Sequence, residues 1–126
     1  MTSRRGLLLA ALALAGALWP AGAPAHSLLV RSRPGRGATV ARAPERVQLW
    51  FSERLEPAFA RLSVWTAAGA QVDAGDAAVD QGDPTLLTVS TPGLAPGRYT
   101  VRFRVLSVDG HIVESSFVFT VRAAAK

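Results

Sequence analysis

The sequence predicts an all-β domain: an immunoglobulin-like β-sandwich or Greek-key barrel of about seven antiparallel strands. Three observations predict it. Apolar and polar residues alternate with a period of two in run after run, most cleanly where Tyr99, Val101, Phe103 and Val105 interleave with Arg98, Thr100, Arg102 and Arg104. Pairs rich in Pro, Gly and Asp punctuate the gaps between runs, as turns between short strands require. No stretch spaces its apolar residues as an amphipathic helix does.

The first 25 residues read as a signal rather than as structure. Arg4 and Arg5 precede an unbroken Leu/Ala/Gly run from Leu7 to Leu18, and Ala23-Pro24-Ala25 supplies an A-x-A cleavage pattern. That layout is a secretory signal peptide. The run is shorter than the roughly 20 residues that span a bilayer. Ser3-Arg4-Arg5-Gly6-Leu7-Leu8 is also similar to a twin-arginine signal, so both export routes stay open. Residues 1–25 are expected to be removed, leaving residues 26–126 as one periplasmic domain.

The strands then follow in order. Leu28 to Arg33 is the first candidate, closed by Pro34-Gly35. Val47, Leu49 and Phe51 share one face of the next, with Gln48, Trp50 and Ser52 on the other. Leu62 and Val64 alternate with Ser63 and Trp65. Ala67 to Asp83 is rich in Ala, Gly and Asp and reads as a loop or a loop with one short edge strand. Thr85 to Ser90, Tyr99 to Val105, and Phe117, Phe119 and Val121 complete the set. Successive side chains on a strand point to opposite faces, so each run has one face in a core and one in water.

Composition removes several function classes. There is no cysteine, which excludes disulfides, zinc ribbons, iron–sulfur sites and thiol catalysis. Arg far outnumbers Lys, whose one instance is Lys126, and the basic residues are scattered between acidic ones. That reads as a solvated surface, with no nucleic-acid footprint. A monomer is expected.

The two histidines are the candidate chemistry. His26 directly follows the cleavage pattern, so removal of the signal frees its α-amine. Amine nitrogen and imidazole Nδ1 of one residue can chelate one ion. His111 stands two residues after Asp109, with Gly110 between; on a strand both side chains would share a face. Two nitrogens from His26, the His111 imidazole and the Asp109 carboxylate make a tetragonal nitrogen/oxygen set, which favours Cu(II). Asp-Gly is equally a hairpin-turn signal, under which His111 is a loop residue. Glu53 ends a strand with a carboxylate that is either an exposed charge or a group beside the metal. Trp50 and Trp65 are either packing residues or neighbours of that metal.

The sequence resembles the CopC-type copper-resistance family, its YobA-like members included. The resemblance rests on His26, Leu29, Ser32, Pro34 and Gly37; on Pro44, Val47, Leu49, Phe51, Ser52 and Glu53; on Leu94, Gly97, Tyr99, Val101, Val105 and Ser107 running into Asp109-Gly110-His111; and on Phe117 and Val121. It implies a periplasmic immunoglobulin-like barrel with one Cu(II) held by the residues matching His26, Asp109 and His111, and Glu53 nearby. It also implies a partner of the CopD type in the inner membrane. Some members add a Met-rich loop for Cu(I). Here the one methionine is Met1, which leaves with the signal, so no Cu(I) thioether site is expected. Ser115 and Ile112 stand where the family often has glycine and proline.

These readings predict a copper carrier or buffer for copper resistance and homeostasis, not an enzyme. Two other classes compete. A histidine-brace copper redox enzyme would need open coordination positions. An immunoglobulin-like interaction module would bind no metal.

Overall fold

The computed structural model describes residues 28–124. Eight strands form there: β1 Leu29–Arg33, β2 Thr39–Val40, β3 Arg46–Phe51, β4 Arg61–Thr66, β5 Ala78–Val79, β6 Leu86–Ser90, β7 Gly97–Leu106 and β8 Ile112–Val121. They build two four-stranded sheets, ordered β1-β3-β6-β5 and β2-β8-β7-β4. The β-sandwich read from the alternation is therefore present. One pairing departs from the antiparallel rule, since β2 runs parallel to β8 through Thr39–Thr120 and Val40–Val121. Among the described residues no helix is long and apolar enough to cross a membrane.

The alternating residues face each other between the sheets. Val47, Leu49, Leu87 and Val89 come from one sheet; Leu62, Val64, Val101, Phe103, Val105, Phe117 and Phe119 come from the other, all buried. Phe51 meets Phe103 edge to face across the sandwich, with ring centroids 5.6 Å apart. Burying each such side chain contributes about 1.5–3 kcal/mol, which is how a domain without disulfides holds together. Tyr99 stacks on Phe119, its register partner. Its hydroxyl donates to the Ala95 carbonyl at 2.5 Å, the tyrosine corner that pins the entry to a strand in immunoglobulin-like sandwiches. Trp50 and Trp65 lie on the outer faces, half-buried under Arg31 at 3.9 Å and Arg102 at 4.7 Å.

The weakly patterned stretch holds one edge strand, β5, paired to β6. The rest is tied down by aspartates. Asp73 accepts from the Val64 N–H, Asp76 from the Ser90 N–H and hydroxyl, and Asp83 from the Thr85 N–H and hydroxyl.

The chain changes sheet at five of its seven connections, and this brings distant segments together at one end of the sandwich. There the Leu28 N–H donates to the Ser52 hydroxyl at 2.8 Å, and the Ser52 N–H to the Leu28 carbonyl at 2.9 Å. The Glu56 N–H donates to Leu106, and Leu55 bridges Ser107.

Candidate metal centre

Asp109 and His111 sit at the tip of the β7–β8 hairpin. Leu106 pairs with Ile112, and the Ser107 N–H donates to the His111 carbonyl at 2.9 Å. Val108, Asp109 and Gly110 remain as a three-residue loop. The Gly110 N–H closes a β-turn onto the Ser107 carbonyl, and Gly110 has φ +94°. This is the three-residue hairpin loop that requires a left-handed residue at its end. The turn reading of Asp-Gly and the pairing of Asp109 with His111 are thus both realised. The two side chains meet through the turn, not through alternation on a strand.

The pair is close and accessible. His111 Nδ1 lies 3.1 Å from Asp109 Oδ1, with the side chains 47% and 39% exposed. Two donors on one ion, each bonded at about 2.0–2.2 Å and at right angles, stand about 3 Å apart. The observed separation therefore suits two neighbouring donors on one ion. An imidazole and a carboxylate are also chemically suited to Cu(II).

Ser107 supports the pair, and sequence reasoning gave it no role. It is buried to 1% exposure. Its hydroxyl donates to Asp109 Oδ1 and receives the His111 N–H at 3.3 Å. The hydrogen bond from Ser107, followed by that from His111, holds the Asp109 carboxyl below its ordinary pKa, against a smaller opposing effect of burial. Asp109 is therefore an anion over a wide pH range. A serine two residues before an aspartate in a turn is the signal that could have flagged it.

The other predicted residues stand differently. Glu53 lies half-buried in the bend after β3. The next residue, Arg54, accepts the Val108 N–H at 2.9 Å, so the Glu53 bend is pinned to the loop that carries Asp109. Glu53 does not complete a cluster: among the described residues no three or more of His, Cys, Asp and Glu are grouped to hold a metal ion. His26 lies outside the described residues, as does the cleavage pattern. Leu28, two residues after His26, is fastened to Ser52 beside Glu53.

A family model described as the CopC domain matches residues 29–122. The chain is 38% identical over 114 residues to copper resistance protein C of Pseudomonas syringae pv. tomato, covering 86% of this chain and 90% of that one. It is 32% identical over 99 residues to protein YobA of Escherichia coli K12, covering 78% and 80%. The crystal structure of CopC from Methylosinus trichosporium OB3b superposes with a TM-score of 0.71 at 39% identity, over 80% of this chain and 98% of that one.

Proposed function

Because the chain belongs to the CopC family, we propose that it is a copper-binding protein of copper resistance and homeostasis that carries one Cu(II) ion as cargo at the β7–β8 hairpin tip. The observation that carries this reading is the Asp109–His111 pair, 3.1 Å apart and open to solvent. His26 supplies the remaining donors in this reading, its α-amine and its imidazole. Two residues reach at most about 7 Å, and the strand that follows His26 is anchored at Ser52, on the bend pinned to the Asp109 loop. Glu53 acts from outside the ligand set, orienting a donor or balancing charge.

The set contains nitrogen and oxygen but no sulfur. With no cysteine, and Met1 in the removed signal, the soft ligands that select Cu(I) are missing. The protein is then a periplasmic carrier or buffer for the oxidised ion, exported by the general or the twin-arginine route. Delivery to a CopD-type inner-membrane protein is the matching role for it. Titration of protein beginning at His26 tests the reading. One equivalent of Cu(II) should bind with a tetragonal electron paramagnetic resonance spectrum, and only loose, solvent-like copper would overturn it.

A further inference from the structure

The basic residues are scattered in sequence but gathered by the fold. On the outer face of the β2-β8-β7-β4 sheet, Arg61 of β4 and Arg98, Arg102 and Arg104 of β7 are exposed, against one acid, Glu114 of β8. Arg61 and Arg104 are direct cross-strand partners. Like charges placed opposite each other on one sheet face destabilise it, and the single acid across from them is Glu114, the register partner of Arg104 on β8.

Three of these arginines ring one groove of about 460 Å³, together with Ser63, Ser116 and Glu114. Each guanidinium is held by its own contact. Arg102 lies over Trp65 at 4.7 Å, Arg61 donates to the Ala60 carbonyl at 3.3 Å, and Arg104 approaches Glu114 at 3.9 Å. Asp73, at the neighbouring β4 edge, already accepts from the Val64 N–H, the Gly75 N–H and the Gln71 amide. Three guanidinium groups therefore outnumber Glu114 in the groove and Asp73 at the neighbouring edge, a net positive charge beside serine hydroxyls.

We propose that this groove docks an acidic segment of a partner polypeptide, its carboxylates bridging Arg61, Arg102 and Arg104. Guanidinium groups bind carboxylates in bidentate fashion, and arginine clusters are a recurring way to read acidic motifs. A carboxylate between Arg61 and Arg104 would also relieve their repulsion. A protein segment fits better than a lipid surface because the three guanidinium groups gather in one patch that includes Glu114 and serine hydroxyls, and do not form an unbroken basic plane. The inference does not need the copper reading, although the hairpin that carries Arg102 and Arg104 also carries His111 at its tip. A partner seated here would lie along the element that presents the pair.

The test uses metal-free protein beginning at His26, with a hexaglutamate peptide as probe and backbone amide NMR as readout. Saturable shifts should centre on residues 61–63, 102–104 and 114–116. The double variant Arg61→Gln/Arg104→Gln should weaken binding about tenfold or more, as loss of charge-assisted bonds implies, while Cu(II) titration stays unchanged. Absent or non-saturable shifts, or shifts spread equally to Arg31, Arg33 and Arg36, would overturn the proposal. So would retained affinity in the double variant. Cosedimentation with phosphatidylglycerol vesicles that exceeds peptide binding and is lost in the same variant would reassign the groove to a membrane surface.

Discussion

The Ser107 hydroxyl donates to Oδ1 of Asp109, so a buried side chain at the base of the hairpin fixes an exposed one at its tip. The same hydroxyl receives the His111 N–H. One serine thus fixes the carboxylate of Asp109 and the backbone of His111. Ser107→Ala should raise the Asp109 pKa toward its ordinary value and weaken Cu(II) binding by roughly tenfold, the usual scale for an orienting partner. The sign follows from the direction of the shift. A depressed carboxyl pKa stabilises the fold above the ordinary carboxylate range, and this is lost as pH falls through the lowered value. Carbon-detected NMR titration of Asp109 in both proteins checks it. An unchanged titration in the variant would remove Ser107 from the site.

The ligands themselves should rank in a fixed order. His111→Ala is expected to damage Cu(II) affinity most and Asp109→Asn next, because imidazole is the better Cu(II) donor. Glu53→Gln should cost least, about tenfold, the low end of the range for a group outside the ligand set. Electron paramagnetic resonance of the Asp109→Asn protein separates two roles for that carboxylate. A changed copper spectrum means that it ligates; an unchanged spectrum with weaker binding means that it only orients His111.

The α-amine of His26 can be tested by one residue. Adding a single Gly before His26 should weaken Cu(II) binding severely and leave the thermal transition of the metal-free protein in place. In the unextended protein, binding should fall as pH drops below about 8, where protons compete for an amine of reference pKa about 7.7–8.0. Equal affinity of the two proteins at one pH would show that the amine does not ligate.

Gly110 has φ +94°, and a Cβ built there would meet nothing within 4 Å. The cost of Gly110→Ala is therefore conformational, not steric, and should be about 1–2 kcal/mol. Thermal unfolding should register this loss. Copper affinity should fall as well, because the loop sets the distance between Asp109 and His111. Full stability in the variant would mean that the tip adopts another turn at no cost.

Strands whose inward residues are large and apolar were legible as sequence, because burial of Val47, Leu49, Val101 or Phe119 imposes a period of two. Where contacts are made by other groups, the pattern fades. Thr39 and Val40 form a strand too short to show any period. Ile112 to Ser116 extend β8 with almost wholly exposed residues, held by pairing to β7 and not by a core. The loop before β6 is ordered by Asp73, Asp76 and Asp83, which in sequence look like loop polarity. At the tip, Asp109 and His111 could be named from their spacing, whereas Ser107 offered only the weaker signal of a serine two residues before an aspartate, because its role depends on the turn that folds it beneath them. The arginine face was hidden for a related reason: Arg61 and Arg104 are 43 positions apart and become neighbours only through the β4–β7 register.

Leu28 is fastened to the sheet that contains β3, while Asp109 and His111 project from the hairpin of the other sheet. On the proposed ligation, one ion would join residue 26 to residues 109 and 111 and so rivet the first sheet to the second. Unfolding would then have to release the cargo, and loading at a thousand times the dissociation constant would add about 4 kcal/mol to stability. Such a protein reports its own occupancy: the temperature at which its two layers part becomes a gauge of how much copper surrounds it.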